Sequence, residues 1–122
     1  MMADYPQVTI YGACPSKSNS YKIVRFEGHS SLGKTDALKK YEQSFFMQNS
    51  LRKKKINKRF KFSVDVYYSS DRPDLDNALK ILLDCLQSSE TITNDRLCAE
   101  IHARKFIDKK NPRVVFTIEE LM

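Results

Sequence analysis

Hydrophobic and polar positions alternate most cleanly over 60–68, where Phe60, Phe62, Val64, Val66 and Tyr68 are separated by Lys61, Ser63, Asp65 and Tyr67. A period of two sustained over this length predicts a strand with one buried face. Further on, the period changes. Leu75, Leu79, Leu82, Leu83 and Leu86, with Ala78 and Cys85 beside them, fall on one stripe of a helix from 75 to about 87, which Ser88 and Ser89 end. Leu38, Tyr41 and Phe45 define an earlier amphipathic helix from 36 to about 50, with Thr35 as its N-cap and Asp36 complementing the dipole.

The remaining segments read as strands and turns. Val8, Thr9, Ile10 and Tyr11 form a short first strand ended by Gly12, and residues 23–26 a brief extended piece before a loop at 28–31. Leu97, Ala99, Ile101 and Ala103 alternate with polar neighbours in a third main strand reaching about 107. Asp108 to Pro112 reads as a hairpin loop into a last strand over 113–119, with Val114, Phe116 and Ile118 on one face. The order β-α-β-α-β-β predicts a single α+β domain over 1–122, a small mixed β-sheet covered by two helices.

Composition narrows the class. No apolar run approaches the ~18 residues of a membrane span, and the first residues lack a basic-then-apolar signal, so the expected location is the cytoplasm. Cys14, Cys85 and Cys98 are odd in number with no CxxC spacing, and only His29 and His102 could join them, which argues against a disulfide framework or a zinc site. Lys plus Arg exceed Asp plus Glu by 21 to 15, a net charge of +6. A small basic domain points to a polyanionic partner, nucleic acid more often than membrane. The charge is concentrated. Arg52, Lys53, Lys54, Lys55, Lys58, Arg59 and Lys61 fall within residues 51–61, a run that is either a solvated loop or a phosphate-binding surface.

Candidate chemistry lies in the stretch 70–80, which carries Asp71, Arg72, Pro73, Asp74, Asp76, Asn77 and Lys80 between the alternating strand and the second helix. Pro73 biases Arg72 to extended geometry, so Asp74 and Asp76 fall on one side of the chain. Asp95 lies at the end of the next connection, and loops at sheet ends converge, so the three carboxylates are expected to meet. Hard oxygen ligands in that number suit Mg²⁺, with Mn²⁺ possible. Lys80, one turn after Asp76, is placed to hold a phosphate. The plainer alternative stays open on spacing alone: Asp76 caps the helix for about 1 kcal/mol, Lys80 pairs with Asp76 or Asp84, and Asp95 is a turn residue.

These residues carry a resemblance. Asp74-Leu75-Asp76-Asn77 followed by Lys80, then Thr93-Asn94-Asp95, with Pro15-Ser16-Lys17-Ser18-Asn19-Ser20-Tyr21 after the first strand, resembles the RusA family of Holliday-junction resolvases, small endodeoxyribonucleases of phages and prophages. The resemblance spans essentially the whole chain. It implies a Mg²⁺-dependent homodimer with Asp74, Asp76 and Asp95 as metal ligands and Lys80 as the catalytic lysine. The substrate would be branched DNA recognised chiefly by shape. Lys17, Asn19, Arg52, Lys53, Lys54, Lys55, Lys58, Arg59 and Arg72 are the candidate DNA contacts. The chain departs from the family pattern at Pro73, where a basic residue is common, and at Asn94, where a second acid is common. The competing readings are a non-catalytic basic DNA-binding module, a nuclease for simpler branched or flap DNA, and a protein-interaction domain with a solvated basic loop.

Overall fold

The computed structural model describes residues 5–16, 20–26 and 28–122. Its sheet is built around the alternating strand, β4 (Phe60–Tyr68), whose apolar residues are all buried. On one side lies β6 (Arg113–Glu120), antiparallel, with Val64 opposite Phe116; beyond it β1 (Val8–Tyr11) pairs antiparallel to β6. On the other side β5 (Cys98–Ile107) runs parallel to β4, with Val64 opposite Ala103 and Tyr68 opposite Ile107. The order β1-β6-β4-β5 is thus a mixed sheet, as the α+β pattern predicts.

Two helices cover one face. In α1 (Asp36–Gln48), Thr35 accepts a hydrogen bond from the Leu38 N–H at 3.2 Å and so caps the helix. Its buried stripe sets Phe45 flat against Phe116, ring centroids 5.8 Å apart. In α2 (Leu75–Ser88), Ala78, Ile81, Leu82, Cys85 and Leu86 enter the same core. α2 forms the crossover between the parallel strands β4 and β5, a connection that parallel pairing requires. No helix among the described residues is long and apolar enough to cross a membrane.

Two expectations need correction. Asp108 to Pro112 is not a hairpin loop, because β5 and β6 do not pair: β4 lies between them. The connection passes over the end of β4, where the Asp108 N–H donates to the Tyr68 C=O at 2.7 Å. Burial decides this, since β4 and β6 alternate buried residues along their length and take the inner positions, and β5, exposed along most of its length, takes an edge. Residues 28–31 are likewise not simply a loop. They begin β3 (His29–Lys34), which pairs antiparallel with β2 (Tyr21–Phe26) in a separate two-stranded sheet. Gly28 turns the chain there at φ +81°, a conformation that glycine adopts freely. β3 has one large apolar residue in six, too few for a period-two signal.

The basic run is a folded strap rather than a loose loop. Lys53 and Lys55 take left-handed backbone conformations, φ 62° and 54°. Their N–H groups donate to the C=O groups of Ser89 and Glu90 at 2.9 and 2.8 Å, and Ile56 forms a bridge with Ile92. Beneath it, fully buried Asn49 donates to Ser89 Oγ at 3.2 Å and Thr91 Oγ1 at 2.7 Å, and accepts from the Leu51 N–H at 3.0 Å. The strap is thereby fastened to the C-terminal end of α2.

Candidate active site

The end of β4 delivers the chain to the acidic stretch, and three contacts shape the turn. Lys105, from β5, donates to the Asp71 C=O at 2.8 Å and pairs with its carboxylate at 3.1 Å. The same ammonium lies 5.9 Å from the centroid of the Tyr68 ring. Tyr68 in turn donates its hydroxyl to the Asp74 C=O at 3.4 Å. Burial raises the Tyr68 phenol well above its usual range, and its neighbours Cys14, Asp74 and Asp76 add to that shift.

The capping alternative is decided here. Asp74, at φ −85° and ψ 138°, occupies the N-cap, yet its side chain makes no capping hydrogen bond, and Asp76 falls in the first turn. Asp65, Asp71, Asp84 and Asp108 each pair with a Lys or Arg. Among the described residues, Asp74, Asp76 and Asp95 have no such partner. Lys80 approaches Asp84 rather than Asp76, at 3.8 Å with most of its side chain in solvent, a contact worth a few tenths of a kcal/mol at most. It remains available to an anion.

Asp76, Asn77 and Lys80 line one wall of an open cleft of about 530 Å³, with Ile81 and Asp84 below them. The opposite wall comes from Tyr21 and Lys34 of the β2–β3 hairpin. Sequence reasoning did not place these two residues at the site. Tyr21 ends the 15–21 stretch quoted for the resemblance, whereas Lys34 carried no signal of its own. Lys34 is held by Glu42 at 2.8 Å, which raises its pKa, and Lys80 lines the same cleft.

Asp95 is elsewhere. It opens a 3₁₀ turn (Asp95–Leu97), with Asn94 accepting from the Arg96 N–H at 2.9 Å and the Asp95 N–H held by Gln87 Oε1 at 2.8 Å. Because β4 and β5 are parallel, the start of β5 lies at the opposite end of the sheet from the end of β4. Gln87 lies eleven helical steps beyond Asp76, about 16 Å along α2. Convergence of the three carboxylates, expected from their places at loop ends, is not the arrangement within one chain. Among the described residues no three His, Cys, Asp or Glu side chains stand close enough together to hold a metal ion.

The candidate DNA contacts divide in the same way. Arg72 is exposed beside the acid pair, its N–H bonded to Ser70 Oγ at 3.4 Å. Arg52, Lys53, Lys54, Lys55, Lys58 and Arg59 are exposed at the far end, with Arg52 tied to the Asn49 C=O and leaning on Phe46. Lys17 and Asn19 lie outside the described residues.

This charge layout, exposed cations around unpaired carboxylates on a mixed sheet, defines a small α+β protein suited to a phosphate polyanion. The family model for endodeoxyribonuclease RusA matches residues 15–119, and the chain belongs to that family. It is accordingly classed with endodeoxyribonucleases that act on branched DNA. No curated protein matches the chain.

Proposed function

We propose that this chain acts as a homodimeric, divalent-metal-dependent resolvase in the cytoplasm, making paired symmetric nicks in four-way DNA during recombination and repair. The observation that carries the reading is the pair Asp74 and Asp76, unpaired by any described cation, at the start of α2 beside Lys80 and its cleft. Asp76, in the first turn of α2, complements the helix dipole, but two neighbouring carboxylates with no cation between them repel each other. They fit the donor chemistry of Mg²⁺ or Mn²⁺, which prefer carboxylate oxygens and keep sites open for phosphate and water. Asp74 and Asp76 would hold the ion, joined by Asp95 only if it comes from the second copy in the homodimer, since within one chain it lies at the other end of the sheet; the ion would supply an acidified water and neutralise charge at the scissile phosphate.

The chain's own groups do the rest. Tyr68 and Lys105 fix the backbone that presents Asp74 and Asp76. Lys80 faces the cleft and stabilises the charge that builds on the phosphate oxygens during displacement. Arg72 and the strap at 52–59 hold the DNA backbone, positioning it without reading sequence. Two-fold symmetry places one acidic site on each of two opposed strands.

Asp76→Asn tests the reading. With Mg²⁺, wild-type protein nicks a synthetic four-way junction symmetrically, and the variant binds the junction without cutting it. EDTA abolishes wild-type cutting and leaves binding intact. Equal cleavage by the variant would sink the assignment.

A further inference from the structure

We propose that the face of the sheet turned away from the helices is a second DNA site, on which unpaired bases stack against Phe106 and Tyr67 while Lys109 and Lys110 hold their phosphates. The stacking surface rests on the fold; the choice of DNA as its ligand rests on the nuclease reading.

Strand pairing builds one continuous row. Tyr67 in β4 lies opposite Phe106 in β5 and Arg113 in β6, and Arg113 lies opposite Tyr11 in β1. Residues opposite one another across a sheet share a face, and neighbours along a strand point to opposite faces. Ile10, Val66 and Val114 enter the helix-covered core, so Tyr11, Tyr67, Phe106 and Arg113 lie on the other face. The Tyr67 and Phe106 rings are nearly parallel, 19° apart with centroids at 4.9 Å. The Arg113 guanidinium lies 3.8 Å from the Tyr67 centroid, and that of Arg104 lies 5.3 Å from the Phe106 centroid. Phe106 and Tyr11 remain 36% and 56% exposed. A cross-strand aromatic pair steadies a sheet, but packing alone gives no reason to leave large rings open to water between two guanidinium groups. Aromatic faces flanked by arginine are the surface on which the bases of single strands stack.

Charge around the row suits a polyanion. The nearby acids are engaged: Asp65 by two 2.8 Å bonds from Arg104, Asp108 by Arg113 at 2.9 Å and Asp71 by Lys105 at 3.1 Å. Lys109 and Lys110, in the connection that leads from β5 to Arg113, are exposed, and their ammonium groups have no acidic partner among the described residues. The opposite end of the same face differs, since Lys61 there lies between Glu100 and Glu119. Between the two ends, Ser63, Asp65, His102 and Thr117 line an open hollow of about 340 Å³. It gives a sugar or a base edge room and hydrogen-bonding groups beside the stack.

Intact duplex cannot use such a surface, because its bases are already stacked on one another. Bases freed where strands part can. The row stands at the end of β4 that leads into the acidic turn: Tyr67 precedes Tyr68, whose hydroxyl donates to the Asp74 C=O. A strand leaving the acid pair need only pass over that end of the sheet to lay its bases on Phe106. The surface thus favours branched DNA with parted arms over linear duplex.

The chain contains no Trp, so Phe106→Trp places a single indole in the stack. In EDTA, where nothing is cut, titration with an oligothymidylate of about 20 nucleotides, longer than one such site occupies, should quench its fluorescence. A duplex of the same length should not. Met47→Trp, exposed on α1, should not respond to either. By fluorescence anisotropy of the labelled oligothymidylate, Phe106→Leu should bind roughly 5- to 150-fold more weakly, the range for losing one base–aromatic stack. Phe106→Trp should keep wild-type affinity. Leu fills the same apolar position, so a ring that only packs predicts no difference between the two. Lys109→Gln combined with Lys110→Gln should lower the salt slope by about 0.7 for each phosphate released; an unchanged slope overturns the role of these lysines. Wild-type affinity in Phe106→Leu, or equal quenching by duplex and single strand, overturns the stacking site. Wild-type protein that binds the oligothymidylate through position 106 yet nicks no junction overturns the nuclease reading and supports the stacking site.

Discussion

Asn49→Ala tests whether one buried amide fastens the basic strap. Asn49 and Thr91 are fully buried, and Leu51 and Ser89 nearly so. Truncation removes two donations, to Ser89 Oγ and Thr91 Oγ1, each with a net worth of about 1 kcal/mol. It also strips the Leu51 N–H of its acceptor, and an orphaned buried donor costs about 1–3 kcal/mol. Ser89 and Thr91 keep each other at 3.1 Å, so no further orphan arises. The expected loss is roughly 3–5 kcal/mol, a large share of the roughly 6–18 kcal/mol that a domain of this length holds. Urea unfolding followed by far-UV circular dichroism measures it, and the melting temperature should fall by roughly 10–15 °C. Because Lys53 and Lys55 hang from Ser89 and Glu90, junction binding below the melting range should weaken as well. A loss under 1 kcal/mol with unchanged binding would show that the strap is held by something other than this amide.

Replacing Lys53, Lys54 and Lys55 together by Gln should reduce the salt slope of junction binding by about 0.9 for each phosphate that the strap no longer neutralises; an unchanged slope removes the strap from the DNA interface. Alkaline stability follows from buried thiols. Burial raises Cys14 from 9.0 to about 12 and also raises Cys85 and Tyr41. The unfolded chain releases the Cys14 proton near pH 9 while the native chain keeps it. Stability is therefore full below pH 9 and declines as pH rises from 9 to 12. Urea midpoints at pH 7, 9, 10 and 11 should fall in that order, and a flat series would contradict the burial.

Elements whose pattern is driven by burial were legible in the residues alone. β4 is read directly from alternating Phe60 to Tyr68, and both helices from their apolar stripes, because each must bury one face. The acid pair and Lys80 were equally visible, since Pro73 and the helix start impose their geometry locally. The β2–β3 hairpin was not, because its residues leave a weak periodic signal. Yet it supplies Tyr21 and Lys34 to the cleft. Strand order was also beyond reach. Nothing local in β5 and β6 says that β4 separates them; that depends on which strands the shared core buries most deeply. The placement of Asp95 follows from the same fact. Once α2 crosses over and β5 runs parallel to β4, Asp95 lies at the far end of the sheet from Asp74 and Asp76. Chemistry carried on neighbouring residues was readable from spacing. Chemistry shared between elements, or between copies of the chain, depends on the direction each strand takes, and that is fixed only when the elements pack together.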